Sequence, residues 1–276
     1  MLKISEIYIY PIKSLGGIQL QQAQVTDRGF KYDRRWMLVN ADNRFLTQRE
    51  VPAMALLKVA LTVDGLLVTY TKDQSTILIP FEPLKQEFFE VVVWDDTCTG
   101  QAVSDAADEW FTNILRFKCR LVYMPDKTER HTDPNYTDGD KITSFSDAYP
   151  FMLIGQASLD ELNSHLAEAL PINRFRPNMV FTGGQPYQED MMDEFTINNI
   201  HFNGVKLCAR CALTTINQVD ASKGKEPLKT LATYRSKNKK IYFGQNAVHS
   251  NTGIISVGDE LIVLTTHTEE RFIIPS

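Results

Sequence analysis

The sequence lacks most of the fingerprints by which a catalytic fold can be read. It holds no Gly-rich dinucleotide motif, no P-loop and no G-x-S-x-G turn, which leaves no Rossmann cradle, nucleotide loop or serine-hydrolase elbow to start from. No uninterrupted apolar run nears the ~20 residues that a membrane span requires. The opening residues Met1 to Ile7 mix charge with strand-forming residues and lead into no apolar signal segment. A cytoplasmic protein without a membrane span is expected. Basic residues number 29 against 34 acidic ones, a net charge of −5, which speaks against a nucleic-acid surface because phosphates are neutralised by a basic excess. Cysteine is scarce, and four in 276 residues do not make a disulfide framework. Without a second C-x-x-C or an H-x-x-x-H, a four-ligand structural zinc site is not supplied. Without ferredoxin cysteine spacing or a flavin fingerprint, electrons for any redox chemistry must come from a separate partner.

What is present is a series of short apolar runs. Residues 4–10, 18–25, 56–62, 66–70, 77–79, 89–94 and 119–123 read as strands, broken by Asp-Gly and Pro-rich links. Such close spacing suggests a barrel or sandwich more than alternating βαβ units. Phe45, Leu46 and Thr47 read as a return strand after a turn at Asp42-Asn43, and Cys98 falls in a polar turn. Ser104 or Asp105 caps a helix carrying Ala107, Trp110, Phe111, Ile114 and Leu115 at helical spacing. Ser158 and Glu161 form a capping-box pattern for a second helix. A third, short helix starts at Pro227. Residues 125–140 make a long polar loop, a candidate lid or boundary.

The chemistry-bearing residues lie in several separated places. Lys13 and Ser14 sit in a Gly-bearing turn that can hold an oxyanion, the lysine as a point charge and the turn through its N–H groups. Arg34 and Arg35 precede an apolar strand, and alternation lets only one of them face a given site. Ser146, Asp147 and Tyr149 stand just before a buried strand. Arg176, biased toward an extended conformation by Pro177, can grip phosphate at a strand mouth, with Asn178 beyond it; a surface ion pair is the equal alternative. Last comes C-A-R-C, residues 208–211, at the end of a hairpin turning at Asn198-Asn199, where one strand ends and the next should begin. Free cysteines are usually buried and inert. Arg210 between the two thiols favours the thiolate form, which binds soft metals. The β-branched residues Thr214, Thr215 and Ile216 come next, so a thioredoxin-like redox pair is not expected. A thiolate with several basic turns suits an anionic cofactor carrying a metal that prefers sulfur.

Taken in order, Y-P-I-K-S, Y-D-R-R-W-M-L-V, F-S-D-A-Y-P-F, N-R-F-R-P-N and C-A-R-C-A-L-T-T-I-N resemble the MOSC superfamily with its N-terminal partner domain, in the branch of the mitochondrial amidoxime-reducing components and their bacterial relatives. The resemblance covers nearly the whole chain. It implies an α+β, predominantly β protein of two intimately packed β-barrel-like domains, residues 1–122 and 123–276, with a few peripheral helices. It also implies the molybdenum cofactor (Mo-molybdopterin) held between them, with Cys211 the protein ligand to molybdenum and Cys208 a neighbour. Lys13, Ser14 and Arg34 match phosphate and pterin contacts, Arg176 and Asn178 the later pterin-binding turn, and Ser146, Asp147 and Arg210 complete the candidate site. The implied activity is reduction of N-hydroxylated compounds such as amidoximes and hydroxylamines, fed by a ferredoxin-like protein, a cytochrome or a flavoprotein reductase. Asp147 is a candidate proton relay. A sulfur carrier or cofactor-handling protein with a persulfide on Cys211 is the alternative. Ala209 stands where the family has serine, and Ala148-Tyr149 where it has a hydroxyl pair, so side-chain oxygen contacts do not carry over at either place.

Overall fold

In the opening strand Leu2–Ile9, Ile4, Ile7 and Ile9 are buried. The spacing from 4 to 7 breaks strict alternation, and a bulge between Ile4 and Glu6 accounts for it by turning the strand so that both isoleucines point inward. This computed structural model describes residues 1–138 and 140–269. In it, Leu2–Ile9 lies antiparallel between Met179–Thr182 and Glu260–Val263, strands from the far end of the sequence. From Glu260–Val263 the sheet continues through Glu194–Ile197, Ile200–Arg210 and Lys240–His249 to Phe151–Gly155, which pairs back on Met179–Thr182. Seven strands thereby close a barrel. Its interior is filled by Ile4, Ile7, Leu153, Met179, Phe195, Phe202 and their neighbours.

The second body is an open half-barrel. A four-stranded sheet runs in the order Trp36–Val39, Arg120–Tyr123, Asp96–Ala102, Phe88–Val93, and a three-stranded one joins Leu57–Leu61, Gly65–Tyr70 and Thr76–Pro80. The helix Asp105–Leu115 covers their core with Ala107, Phe111 and Leu115 buried, and Ser104 caps it by accepting the Ala107 N–H at 3.1 Å. The predominantly β architecture expected from the sequence is what the chain forms.

Several local expectations fail for identifiable reasons. Cys98 lies within a strand, buried on the apolar side where Val91 and Val122 pack, although its neighbours are polar. Residues 44–46 do return antiparallel along Trp36–Val39, the Asn40 N–H reaching Arg44 O at 2.9 Å and the Leu46 N–H reaching Leu38 O at 2.8 Å, but the pairing stays at isolated bridges, because Arg44 also bridges Val92 of a neighbouring strand, whose carbonyl accepts the Phe45 N–H. Ser158 is no cap: the helix Gln156–Ser164 begins at Gly155, and the buried Ser158 hydroxyl donates to Glu189 Oε2 at 2.8 Å. The loop 125–140 is fastened down by Arg130, which is 5% exposed and donates to Ser144 O, Ser146 O and Asp147 O at 2.8–3.1 Å and to Asp96 at 2.8 Å. Its described residues do not line the cleft between the two bodies. It supports the turn that does.

Candidate functional site

Between the two bodies opens a cleft. All nine residues singled out from the sequence line it: Lys13, Ser14, Arg34, Ser146, Asp147, Arg176, Asn178, Arg210 and Cys211.

One wall is basic. Pro11 ends the first strand, and the chain turns so that the Leu15 N–H reaches Ile12 O at 3.1 Å and the Lys13 N–H reaches Trp36 O at 2.8 Å. Lys13 is buried, its ammonium donating to Phe145 O at 2.8 Å and to Asp147 Oδ1 at 2.7 Å. Burial pushes the Lys13 pKa down to about 8, with Asp147 opposing the shift. Burial would raise the Asp147 carboxyl, but the Lys13 charge and hydrogen bond, helped by the Trp94 indole N–H at 3.1 Å, outweigh it and hold it below the usual carboxylate range. The Asp147 side chain, 70% exposed, remains open to the cleft.

Ser14, Arg34 and Arg176 all have left-handed backbones, with φ of 66°, 49° and 56°. For non-glycine residues such conformations cost about 1 kcal/mol or more each, and they persist only where the surroundings dictate them. At Arg176 this overturns the extended conformation expected before Pro177. Its guanidinium donates to Leu15 O at 2.7 Å and lies 4.2 Å from the centre of the Tyr10 ring, contacts that fix the backbone against the proline's preference. Arg34 packs against the same ring at 4.4 Å, and bonds Asp33 at 2.6 Å and Asn178 Oδ1 at 3.0 Å. Asn178 is itself tied to backbone at Tyr8 and Met152. Burial lowers the Arg176 pKa to about 10. Only one of the two arginines faces the cleft, as expected, but both precede the strand Trp36–Val39, and Arg35 turns away to Tyr123 and Asp126 because of the left-handed backbone at Arg34 and not through strand alternation.

Sequence reasoning missed the parts beneath this wall. Tyr10 is the platform for both guanidiniums, its hydroxyl donating to Pro177 O at 3.1 Å. Asp33 is buried and accepts the Tyr10 N–H at 2.7 Å as well as Arg34. The available signal was an aromatic and an acid standing directly beside the basic motifs.

The opposite wall carries the thiols. A bulge between Leu207 and Ala209 turns the strand Ile200–Arg210 as it delivers Cys208. Cys211 is the next residue after the strand, and instead of starting another strand the chain enters a tight 3-10 turn, Ala212–Thr215. The turn forms because the Cys211 carbonyl accepts both the N–H and the hydroxyl of Thr214, at 3.1 and 3.0 Å. Arg210 donates to Cys208 Sγ and Met152 Sδ at 2.8 Å and to Phe175 O, and its Nε is buried with no acceptor. Cys208 is thus committed to Arg210, and Cys211 Sγ has no hydrogen-bond partner among the described residues. Ser146 is buried, its hydroxyl sharing a 2.6 Å hydrogen bond with Thr143. Tyr149 is buried with its hydroxyl unpaired, while Ala148 and Ala209 line the cleft without offering a side-chain oxygen.

These residues fit an anionic group that brings its own metal ligands. Four cations, Lys13, Arg34, Arg176 and Arg210, face the cleft against Asp147 and the buried Asp33. Among the described residues no cluster of three or more His, Cys, Asp or Glu could hold a metal ion alone, so a metal meeting Cys211 needs most of its coordination from elsewhere.

Residues 1–118 match the MOSC N-terminal beta barrel domain, and residues 140–262 the MOSC domain. Over 95% of its length the chain is 33% identical to mitochondrial amidoxime-reducing component 1 of Homo sapiens and 32% identical to that of Mus musculus, covering 82% of each. It is 30% identical over 88% of its length to a molybdenum cofactor sulfurase of Oryza sativa subsp. japonica, of which it covers 32%.

Proposed function

This chain belongs to the MOSC family, alongside the amidoxime-reducing components, and from that premise we propose that it is a molybdenum-cofactor-dependent reductase of N-hydroxylated compounds, supplied with electrons by a separate redox protein. Family membership associates the chain with the molybdenum cofactor. The observation that carries the reading is an uncommitted thiol, Cys211, facing Lys13, Arg34 and Arg176 across one cleft, with Arg210 beside it.

In this reading Cys211 supplies the protein's sulfur to the metal. Lys13, the Ser14 turn, Arg34 and Arg176 hold the cofactor's anionic end, with Asn178 fixing the Arg34 guanidinium from behind. Arg210 holds Cys208 and orders the strand end that presents Cys211. When bound, the molybdenum centre supplies two-electron reduction with acceptance of the hydroxyl oxygen, so that an amidoxime, two electrons and two protons give an amidine and water. Asp147, open to the cleft and bonded to buried Lys13, orients the substrate or passes protons from the lysine. Tyr149 and Ala148 shape the substrate side, where the Tyr149 hydroxyl is buried without a hydrogen-bond partner.

Metal analysis of freshly purified protein tests the reading. Near-stoichiometric molybdenum that is lost in Cys211→Ala, with benzamidoxime reduction by an artificial donor lost in parallel, supports it; metal-free protein from molybdate-replete cells sinks it. A second reading, a sulfur carrier with a persulfide on Cys211, draws on the similarity to the molybdenum cofactor sulfurase. Cyanide-labile sulfur without metal would favour it. Among the described residues no helix is long and apolar enough to cross a membrane, and the proposed location is the cytoplasm, which cell fractionation checks.

A further inference from the structure

Charge is distributed unevenly along this acidic chain. Residues 221–240 hold six lysines and Arg235 against one acid, Glu226, a net charge of +6 within a protein of −5. Arg235 is buried on Asp190. Lys223, Lys225, Lys229, Lys239 and Lys240 are exposed, and none meets a carboxylate among the described residues.

The fold brings this segment to the cleft from two directions. The hairpin Ser236–Lys237 with Lys240–His249 continues the sheet beyond the thiol wall, Ile241 being the register partner of Arg210. Its tip, with Lys239 and Lys240, therefore begins where that wall reaches Cys211. The other arm packs on the turn just past Cys211: the Gly224 N–H donates to Thr215 O at 3.0 Å, and Ile216 bridges Lys223. The Lys223 ammonium donates to Arg49 O at 3.3 Å, and the Arg49 guanidinium covers the Trp94 ring at 4.2 Å, the same indole that bonds Asp147. A basic band thus runs from the thiols round toward Asp147.

We infer that this band is the docking surface for the electron donor, and that the donor is a small redox protein with an acidic face. The inference rests on the reductase reading, since it is the need for outside electrons that calls for a docked donor. Complementary charge steers encounter and fixes orientation while leaving the chemistry at the centre unchanged. An anionic membrane or a nucleic acid would match the charge but has no reason to be presented to the thiol wall.

The test uses the full chain, wild type and Lys223→Glu/Lys225→Glu/Lys239→Glu/Lys240→Glu, with a plant-type [2Fe–2S] ferredoxin and a flavodoxin as probes. Direct binding is measured at low and high salt, and benzamidoxime reduction is driven by either probe or by reduced methyl viologen. Expected are wild-type binding to at least one probe that weakens about tenfold or more in the reversed variant and at high salt, and a viologen-driven rate unchanged by the substitutions. The all-arginine variant retains binding. Binding without any viologen-driven turnover supports the docking surface and sinks the reductase reading alone. Wild type that binds neither probe, binding insensitive to the reversal, or binding only to phosphatidylserine vesicles or DNA overturns the inference.

Discussion

The cleft and the buried cluster beneath the helix Gln156–Ser164 both hold unequal numbers of positive and negative groups, and they resolve the imbalance in opposite ways. In the cleft the surplus is positive: Lys13, Arg34 and Arg176 are all at least 86% buried, with Asp33 and Asp147 to meet them. In the cluster the surplus among the described residues is negative, with Glu189 and Asp190 buried beside Arg235. A proton settles the second case, because burial and then the Asp190 charge push the Glu189 carboxyl well above its ordinary range. No such escape serves the arginines, whose pKa values remain far above neutrality even when lowered. Their surplus waits for an anion. Imbalance that the fold neutralises internally reads as structure, and imbalance left facing an open cleft reads as a binding site.

The largest effect should come from breaking the paired part of the cleft. Asp33→Ala leaves Arg34 and the Tyr10 N–H without their acceptor, and denaturant unfolding of the cofactor-free protein should show a loss of about 3–5 kcal/mol. Arg176→Met should do the reverse. The cofactor-free protein should unfold at no lower temperature, since a buried cation without a carboxylate partner is removed, yet molybdenum retention through gel filtration should fall by roughly 10–100-fold. Equal losses of stability in the two variants would erase the distinction between them.

Two smaller effects arise from proton binding. The Lys13 pKa is about 8, below its ordinary 10.5, so its charge is present at pH 7 and lost as pH rises through 8. Cofactor uptake by the cofactor-free protein should therefore slow several-fold between pH 7 and 9, and Lys13→Arg should flatten the profile. Glu189 is shifted the other way. Above its ordinary pKa of 4.5 the unfolded chain releases a proton that the fold keeps, so stability is full below that pH and declines as pH rises toward the folded value. Glu189→Gln should remove this slope, leaving the variant about 2–4 °C more stable than wild type at pH 8. Identical pH profiles of melting temperature in the two proteins would show that Glu189 carries no such proton.

Much of the site was legible because its members announce themselves locally. A lysine in a Gly-bearing turn, an arginine before a strand and a cation between two cysteines each suggest a role without knowledge of the fold, and the structure gathers them at one cleft. What the sequence hid depends on distant contacts. Nothing near Tyr10 says that two arginines, 24 and 166 positions on, will share its ring. Pro177 argues for an extended Arg176, and a hydrogen bond to Leu15 overrides it. Ser158 has a cap's spacing, but a buried glutamate 31 residues later takes its hydroxyl.

The placement of Leu2–Ile9 between Met179–Thr182 and Glu260–Val263 has a consequence for how the molecule is made and cut. On the ribosome this strand can pair early only with Ile18–Leu20, while its barrel neighbours are synthesised some 170 and 250 residues later, so the ring can seal only once Glu260–Val263 has emerged. A fragment carrying only the later half would have a gap where that strand belongs, with two raw sheet edges inviting self-association. Supplying the opening segment as a separate peptide should mend such a fragment.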